Sequence, residues 1–109
     1  MTDLIQTSRD GALSIIRMNR PDKKNAITRA MYGAMTEAFH AGEADDAVRC
    51  HVLFGVPGAF SSGNDMQDFL TFAMSGETGL PEVIGFLEAV SGLKKPLVSG
   101  VDGLAIGVG

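Results

Sequence analysis

The amino-acid sequence predicts an α/β domain in which parallel strands are joined by helical crossovers. Three observations lead to this fold class: a hairpin signal near the start, a long helical stripe after it, and apolar strand-like runs that follow helical segments. Strands that alternate with helices are typical of parallel sheets covered by their crossover helices. At 109 residues the chain forms one domain at most.

Two predicted strands and one helix make up the first part of the chain. Residues 4–8 and 12–18 are strand-like, and the Asp10-Gly11 pair between them is a strong hairpin signal. After a polar loop, we expect a helix to begin near Thr28, a residue type favoured at the N-cap. Its buried stripe is predicted from helical spacing to contain Ile27, Met31, Ala34, Met35, Ala38 and Ala41.

The second part of the chain alternates strands and helices again. Residues 48–54 are mostly apolar and predict a buried strand, and residues 65–74 predict a short helix. Pro81 suits the first turn of a further helix. Residues 97–101 predict the last strand. The apolar side of the helix that begins at Pro81 is predicted to carry Val83, Phe86, Leu87 and Val90.

Composition describes an ordinary globular protein and excludes several classes. Hydrophobic residues make up 45% of the chain and charged residues 20%, which argues against disorder. The net charge of −4 argues against a nucleic-acid or anionic-membrane partner. One cysteine excludes an internal disulfide, and with only two histidines no metal site is expected. The sequence shows no secretory signal and no stretch of membrane-spanning length, so we expect a cytoplasmic protein.

Two glycine-containing turns are the most informative features. Residues 55–66 read Gly-Val-Pro-Gly-Ala-Phe-Ser-Ser-Gly-Asn-Asp-Met and follow the predicted strand 48–54. A strand that ends in such a turn at a helix start leaves unpaired backbone N–H groups in one small volume. Such groups bind anions or stabilise an oxyanion that develops during a reaction. Residues 98–109 form a second segment of this type, so the sequence predicts a paired-donor site.

These residues also allow other interpretations. The first turn alone is equally consistent with a surface turn capped by an Asx side chain. Residues 107–109 (Gly-Val-Gly) match the start of a dinucleotide-binding fingerprint, but that motif belongs after the first strand of a βαβ unit. The spacing around Ser61 and Ser62 does not fit a nucleophile elbow. The remaining candidates are interpreted as structural, with Cys50 and His51 in the core and Asp65 and Asp68 in the first turn of a helix.

Taken together, three segments resemble the crotonase family, the enoyl-CoA hydratase/isomerase superfamily. They are residues 16–26 (Ile-Arg-Met-Asn-Arg-Pro-Asp-Lys-Lys-Asn-Ala), residues 59–66 and residues 95–109, and their order and spacing agree with the family. The resemblance implies a spiral of strand–strand–helix repeats, incomplete in this chain. It also implies a homotrimer or hexamer. We therefore expect residues 1–109 to be the N-terminal part of a single core domain, without the C-terminal remainder and its trimerisation helices.

The resemblance also implies a chemistry and a set of site residues. An acyl-CoA thioester would be the substrate, and coenzyme A would be part of it, so no separate cofactor is expected. The backbone N–H groups of Asn64 and Val108 would stabilise the thioester enolate. By motif position, the substrate-binding residues would be Lys24, Asn25, Ala26, Ile27, Phe60, Ser61, Ser62, Gly63, Asp65 and Gly107.

The sequence departs from the family pattern in two respects. The position of Val108 is often glycine in hydratases, whereas a branched residue is commoner among isomerase-like members. The glutamates that act as acid and base in hydratases lie beyond the second turn. We therefore expect enoyl-CoA hydratase or isomerase activity only together with the missing C-terminal part. The alternative is a catalytically silent acyl-CoA-binding protein or a truncated family member.

Overall fold

The structure, a computed structural model, describes residues 3–76 and 80–109, which contain two sheets and three α-helices. No helix within these two ranges is long and apolar enough to cross a membrane. In chain order the elements are β1 (Ile5–Asp10), β2 (Leu13–Met18), a 3₁₀ turn (Pro21–Lys23), α1 (Arg29–Ala44), β3 (Cys50–Phe54), β4 (Ala59–Ser61), α2 (Met66–Ser75), α3 (Pro81–Ser91), β5 (Leu97–Gly100) and β6 (Leu104–Ala105).

The main sheet has the strand order β1-β2-β3-β5. β1 and β2 form an antiparallel hairpin, whereas β2, β3 and β5 run parallel to one another. Helix α1 connects β2 to β3, and α2 and α3 lie between β3 and β5 in the chain. These are the helical crossovers that a parallel sheet requires. The predicted α/β class with an N-terminal hairpin is confirmed.

A second, smaller sheet consists of β4 and β6, which pair in parallel. The sequence did not predict it, because strands of three and two residues are too short to show an alternating pattern. Ala59 pairs with Leu104 and Ser61 with Ala105. The small sheet therefore brings together the two glycine-containing segments, since β4 lies in residues 55–66 and β6 in residues 98–109. In each segment the chain continues from the strand into a turn, and these are called the first and the second turn.

Several strand boundaries differ from the sequence prediction. The hairpin loop is Gly11-Ala12 rather than Asp10-Gly11, because Asp10 pairs with Leu13; Gly11 has a φ of 57°, which favours glycine. β3 begins at Cys50 rather than at residue 48, since the Val48 N–H closes a turn onto the Asp45 carbonyl (3.0 Å). β5 ends at Gly100, one residue before the predicted end.

The hydrophobic core lies where α1 packs against the main sheet and α3. The rings of Tyr32 and Phe39 both pack on Phe86 of α3, with centroid distances of 5.2 Å and 6.1 Å. Thr28 is the N-cap of α1, as predicted, and its hydroxyl accepts a bond from the Met31 N–H (3.1 Å). Contact with both the sheet and α3 makes the buried face of α1 wider than one stripe.

The predicted apolar stripes are therefore only partly correct. Ile27, Met31 and Met35 are buried, but Tyr32 and Phe39 were missed and Ala41 is exposed. In α3, Phe86 is buried, as predicted. Leu87 is 49% exposed, contrary to the prediction. Four of the five large apolar side chains of α2 are also exposed, namely Met66, Phe69, Leu70 and Met74, whereas Phe72 is half-buried.

A buried histidine joins the end of α1 to β3. His51 has no exposed surface, and its Nε2 lies 2.8 Å from Oε2 of Glu43 in α1. Because a carboxylate only accepts hydrogen bonds, Nε2 carries the proton in this pair. The other carboxylate oxygen of Glu43 accepts from the Lys94 N–H (2.8 Å). The core interpretation of His51 is confirmed, whereas Cys50 is only half-buried.

Two glycines of α1 provide a matched test of this packing. A Cβ atom at Gly42 would lie 2.6 Å from Cε1 of the enclosed His51 ring, while nothing lies within 4 Å of one at Gly33. We expect Gly42→Ala to lower the free energy of unfolding by about 1–3 kcal/mol. Gly33→Ala should raise it by up to about 1 kcal/mol, through helix propensity. Denaturant unfolding of both variants checks this, and equal effects at the two positions would contradict it.

The Glu43 carboxylate predicts a pH dependence of stability. Its hydrogen bond with His51, followed by that with the Lys94 N–H, holds the pKa of Glu43 below its usual value. This stabilisation is fully present above the pKa of an unfolded glutamate and is lost as pH falls through the lower folded pKa. Glu43→Gln should therefore lower the urea midpoint near pH 7, and the difference from the parent should shrink below about pH 4.

Glu37→Gln is the control, because Glu37 is an exposed glutamate on the same helix. It should leave the urea midpoint nearly unchanged at both pH values. A Glu43→Gln difference that does not vary with pH would show that the carboxylate charge is not what stabilises this junction.

Candidate functional site

The two glycine-containing turns lie side by side. The Ile106 N–H donates to the Ser61 carbonyl (3.1 Å), which extends the β4–β6 pairing into the second turn. A Cβ atom at Gly63 would lie 3.0 Å from the Ile106 carbonyl oxygen, and one at Gly109 would lie 2.6 Å from the Ser61 carbonyl oxygen. These glycines therefore allow the two backbones to approach more closely than side chains would permit.

The second turn places Val108 at an exposed corner. The Gly109 N–H donates to the Ile106 carbonyl (2.9 Å), which closes a four-residue turn. Gly107 occupies its first central position with a φ of 62°. Val108 follows at the second and is 40% exposed. Its N–H makes no hydrogen bond with any residue in the described ranges.

In the first turn, the direction of the Asn64 N–H is defined by the backbone of Ile27. The Ile27 N–H donates to the Gly63 carbonyl (2.8 Å), and the Asp65 N–H donates to the Ile27 carbonyl (2.9 Å). The described part of the chain contains no cis peptide, so the Gly63 C=O and the Asn64 N–H point in opposite directions. The Asn64 N–H thus points away from Ile27, and it donates to no other described residue.

The loop before α1 adopts a left-handed backbone at two consecutive non-glycine residues. Lys24 and Asn25 have φ values of 50° and 56°. Asparagine tolerates this region better than most residues, but two in succession require support from their surroundings. Arg20 provides part of it, since its N–H donates to Oδ1 of Asn25 (2.6 Å) and its carbonyl accepts from the Asn25 N–H (2.9 Å).

The side-chain amide of Asn25 provides the rest of this support. Asn25 is completely buried. Its Nδ2 donates to the main-chain carbonyls of Met18 (3.2 Å), Ala59 (3.1 Å) and Phe60 (3.1 Å). One side chain therefore joins the end of β2, strand β4 and the loop before α1.

Ser61 continues this network to the first turn. It is also completely buried, and its Oγ donates to the Asn25 carbonyl (2.9 Å) and accepts from the Gly63 N–H (3.1 Å). Beside it, the Ser62 N–H donates to the Lys24 carbonyl (3.0 Å). The loop before α1 and the first turn are thus bonded together along their length.

Helix α2 begins at Met66, two residues after Asn64. Asp65 is its N-cap and accepts from the Asp68 N–H (2.9 Å), and it forms an ion pair with Arg20 (2.7 Å). The Asp68 N–H, followed by Arg20, holds the pKa of Asp65 below its usual value. The Asp68 carboxylate accepts from the Arg29 N–H at the start of α1 (2.7 Å). The interpretation of these aspartates as first-turn carboxylates is confirmed.

The side chain of Asn64 is held by a tyrosine of α1. The Tyr32 hydroxyl donates to Oδ1 of Asn64. Tyr32 is 1% exposed, and burial raises its pKa, so the hydroxyl remains a donor at neutral pH. Sequence reasoning missed Tyr32 and Arg20 as partners of the site, because no local pattern connects either residue to the first turn.

The predicted site residues thus come together in one region, at different depths. On the surface, an open cleft of about 630 Å³ lies between the loop before α1 and the start of α2, and Ala26, Ser62 and Asn64 are among its lining residues. Lys24, Gly107 and Val108 are also exposed. The remaining predicted residues are buried, namely Asn25, Ile27, Phe60, Ser61, Gly63 and Asp65.

No group of three or more histidine, cysteine, aspartate or glutamate side chains in the described ranges is arranged to hold a metal ion. Arg20 and Asp65 are instead paired with each other, and Asp65 also accepts from the Asp68 N–H.

Comparison with known proteins agrees with the geometry. Residues 8–109 match the family described as Enoyl-CoA hydratase/isomerase. The chain is 33% identical to the Carboxymethylproline synthase of Pectobacterium carotovorum subsp. carotovorum, over 87% of this chain and 39% of that protein. It is 36% identical to the human Enoyl-CoA delta isomerase 2, over 96% of this chain and 27% of that protein.

A solved structure shows the same fold. The enoyl-CoA hydratase/isomerase from Pseudoalteromonas atlantica T6c superposes with a TM-score of 0.87 at 36% identity, over 98% of this chain and 41% of that one. The predicted crotonase-type fold is confirmed, and the chain spans less than half the length of each of these three relatives. With a family match that extends from residue 8 to residue 109, the chain belongs to the enoyl-CoA hydratase/isomerase family.

Proposed function

We propose that this chain forms the oxyanion hole and part of the coenzyme A-binding surface of an acyl-CoA enzyme of the enoyl-CoA hydratase or isomerase type. One observation carries the proposal. The backbone N–H groups of Asn64 and Val108 stand on two turns in direct contact, and neither donates to any other described residue. Unpaired donors of this kind are suited to an anionic ligand or to an oxyanion.

The thioester carbonyl oxygen would accept a hydrogen bond from both N–H groups. When the oxygen of water bonds to the β-carbon in hydration, or when a base removes a proton from the α- or γ-carbon in isomerisation, an electron pair moves onto the thioester oxygen, and the two donors stabilise the negative charge. The Ile27–Gly63 hydrogen bond already sets the direction of the Asn64 N–H, so this donor needs no reorganisation as charge develops. Backbone donors of this type contribute on the order of a hundredfold in rate each.

The coenzyme A portion would lie across the cleft between the loop before α1 and the start of α2. Ala26, Ser62 and Asn64 line this cleft, and Lys24 presents an exposed cation at the same loop. An ammonium group there suits the phosphates of coenzyme A. Exposed parts of Gly107 and of the two turns would contact the acyl end. The buried members of the predicted set would hold these surfaces in place.

Proton transfer requires further groups. Asp65, the carboxylate next to Asn64 in sequence, caps α2 and pairs with Arg20, and its low pKa makes it a poor general acid at neutral pH. We place the acid and base in the part of the relatives' length that this chain does not span. That part would decide between hydration and isomerisation. A trimeric or hexameric assembly and a cytoplasmic location stay predictions.

The backbone donor is tested by two substitutions at Asn64 in the whole protein that carries this chain. Asn64→Pro removes the N–H and should lower kcat on an enoyl-CoA by at least about a hundredfold. Asn64→Ala keeps the N–H and loses only the contact with Tyr32, so it should do much less. Steady-state kinetics of both variants, with circular dichroism and oligomeric state as checks of the fold, measure the difference.

Equal kcat values for folded proline and alanine variants would remove the role assigned to the Asn64 N–H. An unmodified protein that binds acyl-CoA but turns over no enoyl-CoA would instead support the catalytically silent alternative. Isothermal titration with a non-hydrolysable acyl-CoA separates that outcome from a protein that does not bind the thioester.

A further inference from the structure

We propose that the buried hydroxyl of Ser61, with the Asn25 residue that it bonds, positions the Asn64 N–H for catalysis and does not contact the substrate. This inference rests on the function proposed above. It assigns Ser61 and Asn25 a different role from the substrate contact expected from motif position. The basis is a hydrogen-bond relay that runs from the loop before α1 to the peptide that carries the donor.

The Gly63–Asn64 peptide is fixed from two directions. Its carbonyl accepts from the Ile27 N–H (2.8 Å), and the Gly63 N–H on the preceding peptide donates to Oγ of Ser61 (3.1 Å). Gly63 has a φ of 98°, a conformation that only glycine adopts without strain. Rotation about the backbone bonds of Gly63 would directly change the direction of the Asn64 N–H. The Ser61 hydroxyl therefore restrains the flexible residue next to the donor.

The hydroxyl of Ser61 has no proton left to donate to a ligand. Its single proton is donated to the Asn25 carbonyl (2.9 Å), and it accepts the Gly63 N–H. The residue has no exposed surface. Removal of the hydroxyl would leave a buried N–H and a buried C=O without this partner, and the glycine turn would relax to satisfy them.

Asn25 connects the relay to the proposed coenzyme A surface. Its side chain bonds the Phe60 carbonyl (3.1 Å), and its backbone carbonyl receives the Ser61 hydroxyl. The neighbouring Lys24 carbonyl accepts the Ser62 N–H (3.0 Å). Hydrogen bonds therefore hold the loop that would bind coenzyme A against the turn that would polarise the thioester. Misplacement of a catalytic donor by about 1 Å is enough to cost up to a hundredfold in rate.

The experiment compares Ser61→Ala with Ser14→Ala in the whole enzyme. Ser14 is also a buried serine, but it lies in β2 opposite His51 on β3 and outside the site. We expect Ser61→Ala to lower kcat by about ten- to a hundredfold while KM changes less than about threefold. Ser14→Ala should leave both constants near those of the parent. Ser61→Cys, whose thiol is a weak donor and acceptor, tests the same bonds with a similar side-chain volume if the alanine variant does not fold.

A spectroscopic readout separates positioning from structural support. The infrared stretch of a ¹³C-labelled thioester carbonyl falls in frequency when the enzyme donates hydrogen bonds to it. The bound parent complex should show this fall, and Ser61→Ala should lose a large part of it while acyl-CoA affinity changes only a few-fold. Ser14→Ala should keep the full shift.

Two results would overturn the inference, and they are distinguishable. If the parent complex shows no carbonyl shift, the proposed oxyanion hole fails and the relay fails with it. If the parent shows the shift and folded Ser61→Ala or Ser61→Cys retains both the shift and the parental kcat, only the positioning role of Ser61 is wrong.

Discussion

The buried amide of Asn25 is the contact on which the rest of this site depends. It joins the end of β2 to the carbonyls of Ala59 and Phe60 in β4, and so connects the main sheet to the small one. In return, these bonds stabilise a left-handed backbone at Asn25 and Lys24 that is otherwise unfavourable. A buried amide with its donors and acceptor satisfied also defines one arrangement of the loop, since any other would leave polar groups unpaired.

The small sheet then determines which backbone groups remain free. β4 and β6 pair only briefly, and the chain leaves each strand in a turn that contains glycine. Because Gly63 and Gly109 have no side chains, the backbones of the two turns are in direct contact. The backbone N–H groups of Asn64 and Val108 take no part in this pairing. Both unpaired donors are therefore a consequence of where the pairing stops, rather than of any particular side chain.

The dependence of the two donors on contacts between distant segments explains which parts of the structure could be predicted from the sequence. The hairpin, the helices and the two turns follow local signals, such as Thr28 at an N-cap and Pro81 in a first turn, and these were predicted. The small sheet, the exposure of Leu87 and the Tyr32–Asn64 contact depend on which distant segments meet. The motif resemblance assigned Asn25 and Ser61 to the site but did not predict that both are buried. Their burial arises only when the loop before α1 folds onto β4.

In a site built from backbone donors, the residues whose identity matters are not the donor residues themselves. An N–H group is present at every residue except proline, so the donor positions themselves tolerate many side chains. What must be kept is the geometry: the glycines at the contact, and the buried polar groups that orient the turn. A relative with 36% identity and a TM-score of 0.87 shows that the fold as a whole survives extensive substitution. If the proposed function holds, surrounding side chains would set specificity for one acyl chain or one proton transfer, and the side chain of Val108, whose own N–H is the second donor, is one of them.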